Sequence, residues 1–203
     1  MIRLPGKAWN MSKKILIING HPNKESLCFA LVAAYKEGAV RSGAAVRELV
    51  IADLQFNPNL QYGYRKRTDW EPDLVAAWDS IQWADHLVWI HPVWWGGLPA
   101  ITKGFIDRVF LPGYAFRYRE GSVWWDKLLK GKTAHIITTL DQPGIYYRLA
   151  FGRPSVNQLR KSVLQFCGIS PVKVSYIGIV KTATEEKRSQ WLEAVREMGT
   201  RLK

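Results

Sequence analysis

Five short apolar runs constrain this chain more than any other feature. They are Ile15-Leu16-Ile17-Ile18, Val46 to Ile51, His86 to His91, Ala134 to Thr139 and Val172 to Ile177. The first is continuous, and an apolar run of its length reads as a strand buried on both faces; the other four also read as strands. Segments of helical pattern separate the runs: Ser26 to Ser42, Pro72 to Trp83, Pro99 to Phe110 and Ser155 to Phe166, with Glu185 to Leu202 after the last. In the first helix Leu27, Leu31, Ala34 and Gly38 share a face, Ser26 is a suitable N-cap and Gly43 a suitable stop. Strands alternating with helices predict a parallel sheet covered on both sides. With right-handed crossovers this is an α/β, doubly wound, five-stranded, three-layer domain.

In such a domain ligands bind beyond the carboxyl ends of the strands, where the strand order reverses. Three strand ends are chemically unusual here, at residues 19–26, 92–97 and 138–147, and the topology brings all three to one edge. The first, Asn19 to Ser26, leads into a helix N-terminus whose free amides and dipole favour an anion. It has neither the G-x-G-x-x-G nor the Walker A pattern. The second, Pro92-Val93-Trp94-Trp95-Gly96-Gly97, follows its strand too closely for both indoles to enter one core. The glycines permit positive φ or a close backbone approach, and the indoles offer a planar wall for a flat ligand. Packing on neighbouring helices or at a dimer interface is the alternative use of these tryptophans. The third, Thr138 to Tyr147, offers hydroxyls, amides and two phenols.

Length and charge narrow the function. At 203 residues the chain fits one domain, taken as 13–203 after an N-terminal extension of 1–12, with Met11 a candidate start. Segments 52–71 and 111–131 are long loops of the kind that usually carry function. The net charge of +12 favours phosphate-bearing ligands. The basic residues are scattered, as at Arg65-Lys66-Arg67, Arg117 and Arg119, and Arg148 and Arg153, without a basic helix, so nucleic acid is not an expected partner. Cys28 and Cys167 form no CxxC pair, which suits two buried thiols in the cytoplasm. The four histidines lack ligand spacing, so no metal is expected. No apolar run approaches the ~20 residues of a transmembrane helix, and the basic opening, with no apolar stretch after it, is not expected to be a signal peptide.

The run Lys14 to His21, the pattern W-G-x-P-A-x-x-K-G-x-x-D-R-V-F within Pro92 to Phe110, Tyr114-Ala115-Phe116-Arg117-Tyr118, Thr138-Thr139 and Phe166-Cys167-Gly168 together resemble the flavodoxin-like NAD(P)H:quinone reductases. That family includes DT-diaphorase, modulator of drug activity B and the ancillary oxidoreductases of potassium-efflux systems. The resemblance runs from about residue 13 to the end. It implies a flavin, FMN or FAD, with His21, Ser26, Leu27 and Cys28 around its phosphate. Pro92, Val93, Trp94, Trp95 and Gly96 would hold the isoalloxazine. Thr138, Thr139, Leu140 and Asp141 would line its polar edge, with Tyr146 near N1 and O2 as the catalytic residue. Arg188 corresponds to a position that reaches the distal part of FAD. Phe116 and Tyr118 would close the nicotinamide and quinone pocket from the partner subunit of a homodimer.

Three positions depart from the family pattern. Leu140 and Asp141 stand where two glycines are usual, and Gly152 stands where DT-diaphorase has a histidine. Tyr146 would then act without that histidine, helped by Arg148 or Arg153. The expected activity is two-electron transfer from NAD(P)H to quinones or similar flat acceptors, in ping-pong order. The cofactor brings the redox chemistry and the protein the orientation. Basic residues at Arg117, Arg119 and Arg148 would favour NADPH. The alternatives are a redox-sensing regulatory subunit of a membrane transporter and an electron-carrier flavodoxin, the latter at odds with the +12 charge.

Overall fold

A computed structural model describes residues 12–201 of the chain; apart from Ser12, the expected N-terminal extension lies outside them, as does Leu202. Strands β1 (Lys14–Asn19), β2 (Ala45–Val50), β3 (His86–Pro92), β6 (Thr133–Leu140) and β7 (Val172–Gly178) form a parallel sheet in the order β2-β1-β3-β6-β7. Each of the five expected runs is one of these strands. The order reverses between β1 and β3, because the chain leaves β1 toward β2 and returns on its other side.

Side chains of a strand alternate between the two faces of its sheet, and here both faces are covered. Leu16, Ile18, Leu87, Trp89, Ala134 and Ile136 belong to one core. It also holds Leu74 and Trp78 of helix α2 (Pro72–Trp83) and Phe105 and Val109 of helix α3 (Ala100–Val109). Ile15, Ile17, Val88, Ile90 and Ile137 belong to the other core, with Leu31 and Tyr35 of helix α1 (Leu27–Arg41) and Val195 of helix α6 (Glu185–Arg201). Burying each large apolar side chain contributes roughly 1.5–3 kcal/mol, so the alternation within each run fixes the three layers.

Helices α1 and α6 cross at two glycines. A Cβ at Gly38 would overlap the carbonyl oxygen of Arg196, and one at Gly199 that of Tyr35. The Arg196 guanidinium, 2.7 Å from the Glu37 carboxylate, bridges the same crossing.

The two long loops carry structure of their own. Residues 116–127 include a hairpin of β4 (Phe116–Tyr118) and β5 (Trp125–Lys127), paired antiparallel. The excursion after β2 opens with a 3-10 turn at Ile51–Asp53 and is tied to α3 by Arg108, whose side chain is buried. Its guanidinium pairs with Glu71 at 2.7 Å and donates to the carbonyls of Asn57 and Asp69. The third strand end holds a short helix, α4 (Gly144–Leu149), that the sequence does not signal. The next helix begins as α5 (Pro154–Asn157) and continues as a π-helix from Gln158 to Gln165. No helix among the described residues is long and apolar enough to cross a membrane.

Candidate functional site

The loops after β1, β3 and β6 meet at the reversal in strand order, and their contacts are specific. Gly20 lies under α3: its amide donates to the Ile90 carbonyl at 2.8 Å, and Thr102 Oγ1 donates to the Gly20 carbonyl at 2.8 Å. A Cβ at Gly20 would lie 2.6 Å from Thr102 Oγ1, so the residue there must lack a side chain. Beyond it the chain turns through local bonds. Asn19 accepts from the His21 amide, His21 Nδ1 from the Asn23 amide, and Asn23 from the Glu25 amide.

These bonds bring the chain to Ser26, whose extended backbone is that of an N-cap. Its hydroxyl is buried but makes no cap bond and has no hydrogen-bond partner among the described residues. Asn19 Nδ2 is buried without a partner as well. An unsatisfied buried polar group is costly, so Ser26 Oγ at the N-terminus of α1 and Asn19 Nδ2 at the end of β1 are groups that a polar ligand could satisfy. Leu27 and Cys28 follow in α1, and Cys28 Sγ lies 3.5 Å from Thr139 Oγ1 at the end of β6. Burial pushes the Cys28 thiol up to about 11, so it stays protonated.

The second loop is a two-residue reversal. Trp94 and Gly97 exchange backbone hydrogen bonds of 3.1 and 2.8 Å. The residues between them, Trp95 and Gly96, have φ of 50° and 75°. Two successive positive φ values belong to the type I′ reversal, which favours glycine or asparagine at both places. A tryptophan in the left-handed region costs roughly 1–2 kcal/mol. Trp95 is nonetheless fully exposed, so packing within the chain does not repay that strain. Trp94 is 45% exposed and meets the His21 ring edge to face at 5.5 Å. Neither indole belongs to the core. Burial holds the His21 imidazole below its ordinary pKa.

The turn is anchored from behind. Tyr147 of α4, buried, donates its hydroxyl proton to the Gly96 carbonyl at 3.0 Å. The Ser155 amide donates to the same carbonyl at 3.1 Å, and the Ser155 and Tyr147 oxygens are 2.7 Å apart. The sequence marks Tyr147 only as one of two phenols in the third loop and Ser155 only as the start of a helix. Nothing in the spacing of residues 96, 147 and 155 signals the triangle they form.

The third loop closes the site. The Val93 amide donates to the Thr139 carbonyl at 2.8 Å, and Thr138 Oγ1 donates to the His91 carbonyl at 3.1 Å. Leu140 is buried with Tyr147 and Val156. Asp141 accepts from the Lys181 amide at 3.0 Å. Val93, Trp95, Gly96, Leu140, Asp141 and Gln142 line a cavity of about 350 Å³. Tyr146 stands half exposed at its side, edge to face with Phe151 at 5.6 Å.

Three expected residues lie elsewhere in the chain. Phe116 and Tyr118, on β4, line a separate groove of about 280 Å³ with Ile106, Phe110, Val163 and Phe166. That groove shares no residue with the cavity at Trp95. Arg188 is in the first turn of α6, where its Nε donates to the Ala183 carbonyl at 3.4 Å.

A family profile described as flavodoxin-like fold matches residues 13–199. NAD(P)H dehydrogenase (quinone) 1 of Rattus norvegicus is 25% identical over 206 residues, covering 89% of this chain and 74% of its own. An uncharacterized NAD(P)H oxidoreductase of Haemophilus influenzae is 27% identical, covering 88% of this chain and 90% of its own. Among solved structures, Smu.1420 from Streptococcus mutans UA159 superposes with a TM-score of 0.80 at 32% identity, covering 93% of this chain and 99% of its own. The reversal between β1 and β3, the aromatic turn and this match over nearly the whole length agree: the chain belongs to the flavodoxin-like fold family.

Proposed function

We propose that this chain is a flavin-dependent NAD(P)H:quinone oxidoreductase that carries two electrons in ping-pong order from NAD(P)H to quinones or similar flat acceptors. The enzyme class, NAD(P)H dehydrogenase (quinone), is that of the rat relative matched across most of this chain. The observation that carries the reading is the Trp94–Gly97 turn. It holds a strained, fully exposed indole beside a cavity at the carboxyl ends of β3 and β6, and a flat ring ligand gives that strain a use.

The residues present fit such a ligand. Ser26 Oγ and Asn19 Nδ2, both buried and unpartnered, stand ready for the phosphate end beside the α1 N-terminus, with His21, Leu27 and Cys28 around them. Pro92, Val93, Trp94, Trp95 and Gly96 flank the ring, and Thr138, Thr139, Leu140 and Asp141 its polar edge. When bound, a flavin supplies the hydride chemistry. Tyr146 would hold its phenolic proton toward charge developing at the ring's pyrimidine edge. The indoles exclude water from one face of the ring. FMN would use these three loops alone, whereas FAD would also draw on Arg188.

Phe116 and Tyr118 fit this scheme through a second copy of the chain. Within one chain their groove is separate from the turn, so they reach the donor and acceptor only if a homodimer sets one copy's hairpin over the other's cavity. One cavity then receives NAD(P)H and the acceptor in turn, which imposes the ping-pong order. The test is turnover by the isolated protein with NADPH and a soluble quinone. Steady oxidation, with parallel double-reciprocal lines, supports an enzyme. A protein that binds flavin but turns nothing over would instead be a redox-sensing subunit or an electron carrier.

A further inference from the structure

We propose that the cavity formed by Tyr64, Lys66, Arg67, Thr68 and Tyr114 binds a phosphomonoester, the 2′-phosphate of NADPH, and so sets a preference for NADPH over NADH. The inference rests on the proposed reductase reading and assigns the donor within it.

The excursion and the loop after α3 bring these residues, with Leu60, Leu111 and Pro112, around a cavity of about 140 Å³. Its cations are available. Among the described residues, Arg65, Lys66 and Arg67 have no carboxylate partner, whereas Lys24, Arg47, Arg119 and Arg196 all have one. Arg67 and Lys66 rest over aromatic rings instead, with Arg67 Cζ 4.8 Å from the Tyr114 centroid and Lys66 Nζ 5.0 Å from that of Tyr62. A ring positions a cation but does not neutralise it. Thr68 adds a hydroxyl that is buried without a hydrogen-bond partner among the described residues. Two uncompensated cations and an unused hydroxyl match a doubly charged group with several acceptor oxygens.

The loop is also held in place. Arg108 grips the Asn57 carbonyl before the basic run and the Asp69 carbonyl and Glu71 carboxylate after it. Tyr64 lines both this cavity and the groove that holds Phe116 and Tyr118. A dinucleotide whose nicotinamide end meets Phe116 and Tyr118 would run its adenosine end past Tyr64 toward Lys66 and Arg67. NADH and NADPH differ only in the 2′-phosphate, so a cation pair at that end reads the difference. Of the basic residues expected to favour NADPH, Arg119 is instead committed to Asp126 within the hairpin.

Calorimetric titration of the purified protein with adenosine 2′,5′-bisphosphate, 5′-AMP and inorganic phosphate tests the site without turnover. The bisphosphate should bind about tenfold or more tightly than 5′-AMP, and the difference should vanish in Lys66→Gln/Arg67→Gln. Thr68→Val, which leaves the charges in place, should also weaken the bisphosphate. In turnover the double variant should lose about tenfold or more of kcat/KM for NADPH and keep that for NADH. Equal binding of the two nucleotides, inorganic phosphate as tight as the bisphosphate, or equal loss with both donors would overturn the assignment. A protein that turns over neither donor would defeat the reductase reading, while the calorimetry still decides the phosphate site.

Discussion

The hydroxyl of Tyr147 donates to the carbonyl of Gly96 across 3.0 Å, joining α4 to the aromatic turn. The pair makes the exposed turn rigid from its buried side, where the Ser155 amide adds a second bond to the same carbonyl. A platform for a flat ligand has to be stiff, because every freedom it loses on binding weakens affinity.

Tyr147→Phe removes that donor and leaves the Gly96 carbonyl with one partner. The expected loss is about 1–3 kcal/mol of stability, read by denaturant unfolding, with weaker flavin binding. Tyr146→Phe, one residue earlier, should leave the unfolding midpoint unchanged and slow hydride transfer on the order of tenfold to a hundredfold. Stopped-flow oxidation of NADPH separates the two. A rate unaltered in Tyr146→Phe would remove it from the chemistry.

Trp95→Gly separates the fold's need from the ligand's. Glycine relieves the left-handed backbone strain but adds freedom to the unfolded chain, and the lost ring packs on nothing within the chain. Stability should move by less than about 1 kcal/mol while flavin affinity falls severalfold. Unchanged affinity would return Trp95 to a role in subunit contact.

Arg108→Met tests the clamp on the excursion. It abolishes a buried guanidinium's bonds to Glu71, Asn57 and Asp69, and the expected loss is about 3 kcal/mol. Arg108→Lys recovers little, because an ammonium cannot reproduce the planar fork. Limited proteolysis should find new cleavage between residues 57 and 69 in both variants.

His86 and His135 give the fold an acid limit. Burial, with the charges of Lys13, His135 and Lys173 adding to it, pushes His86 down to about 3. Burial and the charge of Lys173 push His135 to about 4. Both rings are neutral in the fold, so their stabilisation is complete above the unfolded value near 6.5 and is lost as pH falls toward 4. Each should remove about 2 kcal/mol by pH 5. Melting temperatures from pH 8 to 5 should fall, less steeply in His135→Gln. A flat profile would show the rings to be hydrated.

Much of the fold is legible in the sequence because the buried central strands leave largely apolar runs. Ile15 to Ile18 needs no partner information to read as a strand, and the helix faces follow from their periodicity. The turn at Trp94–Gly97 is legible because its residue types are wasteful anywhere else. Helix α4 escapes notice because six residues give too little periodicity against Gln142-Pro143-Gly144. The bonds of Tyr147 and Arg108 escape because they join positions 51 and 37 residues apart, at Gly96 and Glu71, that only the folded chain brings together. The anion cavity is hidden for the same reason, since Tyr114 reaches Arg67 from a different loop.

The absorption spectrum of the purified protein, followed by chromatography of what heat releases, tests the central claim most directly. The account predicts flavin bands that NADPH bleaches, and one released flavin that decides between FMN and FAD. A protein that is colourless and stays so after incubation with both flavins would contradict it.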